Sequence, residues 1–238
     1  MCTVSYFRNN TGSITLTSNR DEHIDRPLAL PPQPFLHGAR TLYYPKDPRG
    51  SGTWFCVTEQ PEVLVLLNGA AQKHVPQPPY RRSRGLVVLE LLQYAPVLER
   101  WDQMDLDHIE PFTLVYCNVH QLVELQWDGF QKKTTHLDVQ QPQIWSSSTL
   151  YPDAVRAERK NWFHVFLRQK NNCPSPSDML QFHTGTRLDD PENGLIINRN
   201  ATMLTKSVSQ CTLSPTDFVF THRDLVTATT HTLCRSIH

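Results

Sequence analysis

The sequence contains no long apolar stretch and no excess of charge of either sign. Its longest apolar run is the five residues from Val63 to Leu67, whereas a membrane-spanning helix needs about 20. We therefore do not expect an integral membrane protein. Lys plus Arg and Asp plus Glu number 23 each, and no basic cluster is present. A protein without a positive surface field is not expected to bind nucleic acid.

Closely spaced cysteine or histidine pairs are also missing. The six cysteines are scattered, and the 11 histidines form no His-Glu-x-x-His motif, so we predict no metal site and no disulfide framework. The first residues, Met1 to Tyr6, lack the basic and apolar regions of a secretory signal. This predicts a cytoplasmic protein with reduced thiols.

The chain length, 238 residues, suits a single domain spanning residues 1–238. Runs of predicted strands alternate with groups of predicted helices, which indicates an α+β fold with sheets covered by helices. Strands are expected near 2–7, 13–18, 53–57, 63–67, 112–117, 122–127, 195–197, 203–211, 218–221 and 227–232. Helices are expected near 83–93, 152–170 and 175–182. The proline-rich segment up to Gly52 is predicted to be an irregular surface excursion.

Two motifs carry a family resemblance. The chain starts Met-Cys-Thr, and one hairpin later it reads Ser18-Asn19-Arg20-Asp21-Glu22, which we interpret as a polar turn. Further pieces follow in order: Asp47-Pro48, Gly52-Thr53-Trp54, Leu67-Asn68 and Arg82-Ser83-Arg84-Gly85. The sequence resembles the NRDE family, also called the transport and Golgi organisation protein 2 family, over residues 1 to about 90. That family is similar to N-terminal-nucleophile (Ntn) hydrolases of the choloylglycine-hydrolase and penicillin-acylase-like group.

The resemblance implies a four-layer αββα sandwich with Cys2 as nucleophile once Met1 is removed. A small penultimate residue permits that removal, and the free α-amine, with a pKa of about 7.7 to 8.0, could accept the thiol proton. By resemblance, Asp21 orients this amine and Arg20 favours the thiolate. Where the related hydrolases carry an earlier arginine, this chain has Ser18.

The remaining predicted site residues concern the substrate. Asn68 is expected to donate a hydrogen bond to the oxyanion, and Asn19, Trp54, Gly69 and Ser147 are expected to contact the substrate. The predicted function is hydrolysis of a non-peptide amide or related acyl bond, with no cofactor required.

An alternative function uses the same pocket without turnover. Ser147 stands near where the family shows an asparagine, and the segment Thr205 to Ser209 lacks the expected late arginine. Both departures favour a protein that binds and carries haem or a lipid-like ligand, as the family's association with haem trafficking implies. The dipeptide Cys173-Pro174 resembles a short haem-responsive element. A purely structural adaptor is a third reading.

Overall fold

The computed structural model describes residues 3–236, which form 14 strands and four helices. The strands are β1 (Thr3–Arg8), β2 (Ile14–His23), β3 (Leu30–His37), β4 (Arg40–Lys46), β5 (Phe55–Thr58), β6 (Val63–Asn68), β7 (Phe112–Cys117), β8 (Leu122–Trp127), β9 (Lys132–Leu137), β10 (Gln143–Ser146), β11 (Asn198–Arg199), β12 (Met203–Leu213), β13 (Asp217–Asp224) and β14 (Thr229–Ser236). The helices are α1 (Arg84–Gln93), α2 (Val97–Gln103), α3 (Asp153–Gln169) and α4 (Pro176–Gly185).

The strands form two antiparallel sheets. The first sheet has the order β10-β1-β2-β12-β13-β14, with β11 paired to β12, and the second runs β3 to β9 in chain order. Helices α3 and α4 contact the first sheet, whereas α1 contacts the second. The order helix, sheet, sheet, helix is the αββα sandwich expected from the resemblance, and the expected fold class is confirmed.

Two apolar cores hold these layers together. The larger one includes side chains from both sheets, such as Leu16 of β2, Leu64 of β6 and Phe220 of β13. A smaller one joins β1 to α3 and α4, through Phe7, Phe163 and Met179, among others. Each buried side chain of this size stabilises the fold by about 1.5 to 3 kcal/mol.

The helix ends follow local sequence rules. Ser83 accepts a hydrogen bond from the backbone N–H of Gly85 and caps α1. Ser175 and Asp178 form a reciprocal capping box at the start of α4, where Pro176 occupies the first turn. Among residues 3–236, no helix combines the length and the apolar character needed to cross a bilayer.

One prediction for the chain between β2 and β5 was wrong. The proline-rich segment expected to be irregular forms strands β3 and β4. β3 lies at the edge of the second sheet, and its pairing with β4 shifts register between Leu30 and Gln33. An edge strand needs backbone donors on one side only, so it tolerates Pro31, Pro32 and Pro34.

Five other elements also differ from the predictions. The strand expected near 195–197 is irregular in the structure, whereas α2, β9 and β10 form where no element was predicted. The last strand begins at Thr229 rather than at residue 227.

Candidate active site

The tetrapeptide Asn19 to Glu22 lies within β2 and is not the turn that the sequence suggested. Successive side chains of a strand point to opposite faces. Asn19 and Asp21 therefore face the layer of α3 and α4, where Asn19 bonds to His183 of α4. Arg20 and Glu22 face the second sheet and line a cavity there. One short motif thus serves two sides of the first sheet.

Arg20 is buried, with 2% of its side chain exposed. Its Nη2 donates to Asp47 Oδ2 at 2.9 Å and lies 3.7 Å from a carboxylate oxygen of Glu22. The guanidinium carbon is 4.6 Å from the centroid of the Trp54 ring, which adds a cation–π contact. These contacts fix the position of the positive charge at the inner face of the sheet.

Asp47 organises the opposite wall. It accepts hydrogen bonds from the Nε of Arg26 at 3.0 Å and from the backbone N–H groups of Arg49 and Gly50. Burial by itself raises the pKa of Asp47, but the Gly50 N–H and the charges of Arg20 and Arg26 outweigh it, so its pKa lies below the ordinary value. Asp47 therefore stays ionised and forms ion pairs with Arg20 and Arg26 that fix both guanidinium groups.

The small cavity beside Arg20 has a volume of about 150 Å³. Its lining includes Arg20, Glu22, Asp47, Trp54, Asn68 and Arg84. The start of α1 closes it, because Gly52 touches Gly85: a Cβ on Gly52 would lie 2.3 Å from the Gly85 carbonyl carbon. Only glycine permits this approach of helix and loop. The structure brings the predicted residues Arg20, Trp54 and Asn68 together here.

Asp21 lies on the other face of β2, with both carboxylate oxygens held. Its Oδ2 accepts from the hydroxyl of Tyr151 at 2.8 Å, and its Oδ1 accepts from Thr205 Oγ1 at 2.5 Å. Thr205 stands directly across from Asp21 in the β2–β12 pairing. Two donors on separate elements thus fix the orientation of the carboxylate.

Tyr151 is a site residue that the sequence predictions missed. Its ring lies between two guanidinium groups, with the carbon of Arg159 at 3.5 Å and that of Arg199 at 5.0 Å from its centroid. Arg159, equally missed, donates to Thr3 Oγ1, so it connects the start of β1 to the tyrosine that holds Asp21. A signal existed: Arg159 is in helical register with the buried Phe163 and Leu167, and an arginine on an apolar stripe needs a buried partner.

Asn19 is fully buried and is not among the residues that line the small cavity. Its amide nitrogen donates to the carbonyls of His183 at 3.0 Å and Leu195 at 2.8 Å, and its side-chain oxygen accepts from His183 Nδ1. His183 Nε2 is therefore the unprotonated nitrogen and accepts from Ser5 Oγ at 2.6 Å. Asn19 fastens α4 to β2; its predicted substrate contact stays a prediction.

Asn68 ends β6, and its backbone carbonyl accepts from Ser147 Oγ at 2.7 Å. Gly69 follows with φ of +81°, and a Cβ there would lie 2.3 Å from Ser148 Oγ. Gly69 and Ser147 line a larger cavity of about 340 Å³, whose other walls include Leu67, Ala70, Ile144, Trp145, Arg156 and Lys160. The Asn68–Ser147 contact separates the small cavity from the larger one.

Cys2, the predicted nucleophile, lies outside the described residues. Thr3, which follows it in the chain, pairs with Asn19 of β2 and with Ser146 of β10. Three described cysteines, Cys56, Cys117 and Cys211, are buried, and burial raises the pKa of each thiol. The other two, Cys173 and Cys234, are exposed and line neither cavity.

Within residues 3–236, no group of three or more histidine, cysteine or carboxylate side chains is arranged to hold a metal ion. The predicted catalytic carboxylate, Asp21, is instead held by hydroxyl donors.

The fold is similar to that of solved amidohydrolases. An N-acylethanolamine-hydrolysing acid amidase ortholog from Caenorhabditis elegans shares 11% of residues, covers 88% of this chain and 92% of its own, and superposes with a TM-score of 0.62. A mutant of the conjugated bile acid hydrolase of Clostridium perfringens is 8% identical, with 100% and 97% coverage and a TM-score of 0.62. A second variant of that hydrolase gives the same identity and TM-score. These likenesses show the Ntn-hydrolase fold.

No curated protein sequence matches the chain. The family model described as transport and Golgi organisation 2, however, matches residues 1–203, which is most of the 238-residue sequence. The predicted resemblance is thereby confirmed, and the chain belongs to the transport and Golgi organisation 2 family.

Proposed function

We propose that this protein is an Ntn-type amidohydrolase that cleaves a non-peptide amide or related acyl bond through Cys2. The observation that carries the proposal is the arrangement of β1 and β2. Thr3 of β1 pairs with Asn19 of β2, and the two strands are antiparallel. Arg20 and Asp21 follow Asn19 in β2, so they lie beyond the end of β1 from which the chain leads back to Cys2. Peptide geometry keeps the α-carbon of Cys2 about 3.8 Å from that of Thr3.

In this proposal Asp21 orients the α-amine of Cys2, which is the base. Its carboxylate is buried and held from two sides by Tyr151 and Thr205. A fixed carboxylate near a free α-amine would accept hydrogen bonds from it and hold its lone pair toward the thiol. Arg20 supplies positive charge on the inner face, which would favour the thiolate.

The reaction then needs four steps. The amine takes the thiol proton, and the sulfur attacks the substrate carbonyl to form a tetrahedral oxyanion. The ammonium returns that proton to the leaving nitrogen, the C–N bond breaks, and a thioester on Cys2 remains. Water, deprotonated by the same amine, attacks the thioester; the C–S bond breaks, the acid is released, and the ammonium returns the proton to the Cys2 sulfur. Asn68, which lines the small cavity, would donate its side-chain amide to the oxyanion.

The larger cavity is our choice for the acyl group. Its volume of about 340 Å³ is that of roughly 11 water molecules. Leu67, Ala70, Ile144 and Trp145 form the apolar part of its lining, and Gly69 and Ser147 line it beside Asn68 of the small cavity. We propose acyl groups of small to medium size.

The experiment is an intact-mass and peptide-mass measurement after incubation with thiol-directed acyl probes and a panel of N-acyl amino acids, bile-salt-like amides and acyl lactones. The expected result is loss of Met1 and a single acyl group on Cys2, absent in Cys2→Ala. Cys173→Ala is the matched control, since Cys173 is exposed and outside both cavities. Acylation that persists in Cys2→Ala would contradict the proposal.

A second candidate function is transport of a lipid-like ligand without turnover, and the larger cavity favours it because its lining combines apolar side chains with charged ones, Arg156 and Lys160 among them. Among residues 3–236, those that line this cavity include no His, Cys, Met or Tyr. Haem iron needs such a ligand, so this cavity suits a lipid-like ligand better than haem. Titration with haem tests the point: a Soret shift at one equivalent, lost in Cys173→Ala, would support haem transport and overturn this preference.

A further inference from the structure

Arg159 of α3 is a buried cation, 1% exposed, and its partners among residues 3–236 are neutral groups. Its Nη1 donates to Thr3 Oγ1, and its Nη2 donates to the carbonyl of Gly194 at 2.6 Å. Nε and Nη2 also donate to the carbonyl of Asn193, at 3.2 and 3.0 Å. Within residues 3–236, no carboxylate forms an ion pair with it. Burying a charge without an ionic partner costs free energy, which indicates a functional role for Arg159.

The contacts of Arg159 lead to the start of β1 from two directions. One is direct, through Thr3 Oγ1. The other passes through Tyr151, whose ring lies 3.5 Å from the guanidinium carbon and whose hydroxyl donates to Asp21. A cation on the face of a phenol ring withdraws electron density and makes its hydroxyl a stronger donor. Arg159 thus holds the Thr3 side chain beside Cys2 directly and, through Tyr151, the carboxylate assigned to the amine.

We propose that Arg159 is a positioning residue for the N-terminal nucleophile: it aligns Thr3 and Asp21, and its buried positive charge keeps the α-amine of Cys2 in the free-base form. This inference rests on the function proposed above. It assigns to α3 an electrostatic role in the active site, whereas the sequence motif placed the active site's cation on β2.

The chemistry requires a neutral amine. Only an unprotonated amine can accept the proton that leaves the thiol, and the same proton later goes to the leaving nitrogen. A nearby cation disfavours a second positive charge on the amine and favours negative charge on the sulfur. Both effects prepare the proton transfer from sulfur to nitrogen.

Covalent geometry bounds the distance. Arg159 contacts Thr3, and the amine belongs to the preceding residue, so guanidinium and amine are separated by at most ~10 Å. At that distance and an effective dielectric constant of about 20, Coulomb's law shifts the amine's titration by about one pH unit. His183 gives a structural precedent: after burial, the charge of Arg159 is the cause that lowers its pKa.

Other charged groups face this region and are unchanged in the test. They are Arg20, Asp21 and Glu22 on β2, Asp47 after β4, Arg199 on β11 and Lys206 on β12.

The test compares wild-type protein with Arg159→Lys and Arg159→Gln. The rate of Cys2 alkylation by iodoacetamide is followed against pH, with the Cys2 peptide resolved by mass spectrometry. The profile follows ionisation of the Cys2 thiol, which is coupled to that of the amine, and a nearby cation lowers the pKa of both groups. We therefore expect its midpoint to rise by about one pH unit in Arg159→Gln and by less than half of that in Arg159→Lys. Cys173, alkylated in the same samples, is the internal reference, because it is exposed on a distant loop.

Arg187→Gln is the matched control. Arg187 also lies over an aromatic ring, that of Trp162 at 5.6 Å, but it is exposed and paired with Asp189. We expect no change in its midpoint. Equal midpoints in wild type and Arg159→Gln, with both folded, would overturn the proposal.

Tyr151→Phe keeps the inference falsifiable if the arginine variants do not fold. It removes only the hydroxyl that reaches Asp21. Removing a donor from the buried Asp21 carboxylate should lower thermal stability somewhat, and we expect, in addition, slower acylation of Cys2 by amide substrate per folded molecule. A merely structural tyrosine would lower stability and leave the rate per folded molecule unchanged. The midpoint of Cys2 alkylation can differ between wild type and Arg159→Gln while no amide ever acylates Cys2. In that case the proposed hydrolysis is wrong and the role of Arg159 stands.

Discussion

Two buried histidines make the protein sensitive to acid. His183 and His222 are both buried. Burial, and then the charge of Arg159, lower the pKa of His183 from 6.5 to about 3. Burial is also the main cause for His222, where the charges of His231 and Arg20 add to it against the opposing effect of Asp224; its pKa falls to about 4. Both are neutral in the folded protein at neutral pH.

The sign follows from linkage. In the unfolded chain each histidine binds a proton near pH 6.5, whereas the folded protein binds it only near pH 3 to 4. The stability that comes from keeping these two histidines neutral is therefore fully present above pH 6.5, and it is lost as the pH falls below that value. Each histidine removes up to ~1.4 kcal/mol per pH unit, so the pair removes up to ~2.7 kcal/mol per unit down to about pH 4. A fold with a free energy of unfolding of about 5 to 15 kcal/mol would lose much of it by pH 4.5.

The assay is urea unfolding at pH steps from 7.5 to 4.5. His183→Gln removes one titrating group while its amide can still bond to Ser5 and Asn19, so we expect the slope of unfolding free energy against pH to fall by about half. His164→Gln, at an exposed position of α3, is the control and should leave the slope unchanged. If His183→Gln and wild type have the same slope, whatever their absolute stabilities, His183 does not take up a proton on unfolding between pH 7.5 and 4.5, and the prediction is wrong.

The remaining predictions concern the site. Asp21→Asn should slow acylation of Cys2 about 10²-fold, because the amine loses its charged partner, while stop-flow binding of substrate is unchanged. Gly52→Ala should destabilise the protein by about 1 to 3 kcal/mol, since its Cβ would meet Gly85 backbone, measured by urea unfolding. Gly185→Ala, with open space around the new Cβ, should not destabilise it. Asn68→Ala should lower the acylation rate 10²- to 10³-fold, or ~2.7 to 4 kcal/mol, without changing the thermal midpoint.

Local patterns were enough to predict the central part of the fold. The hairpin of β1 and β2, the pair β7 and β8 and the helices α3 and α4 were all expected from apolar periodicity and capping residues. Strand β3 was missed because its prolines argue against a strand unless its edge position is known. Edge position is a tertiary property, and sequence spacing does not reveal it.

The candidate site was predicted only in part, and the residues that were missed also depend on tertiary structure. Arg20, Trp54 and Asn68 belong to motifs, and they line one cavity. Tyr151 and Arg159 belong to no motif. Their partners Asp21 and Thr3 are more than a hundred residues away from them along the chain. The polar turn expected at Asn19 to Glu22 is a buried strand end, because β12 pairs with it and covers its backbone. The cytoplasmic location and the single-domain organisation stay predictions.

The most direct test of the central claim is the mass of the N-terminal peptide in protein that turns over substrate. We expect Met1 to be absent and the acyl group of a substrate to be carried on Cys2 as a thioester, which hydroxylamine releases. Active protein that retains Met1, or an acyl group carried on any residue other than Cys2, would contradict it.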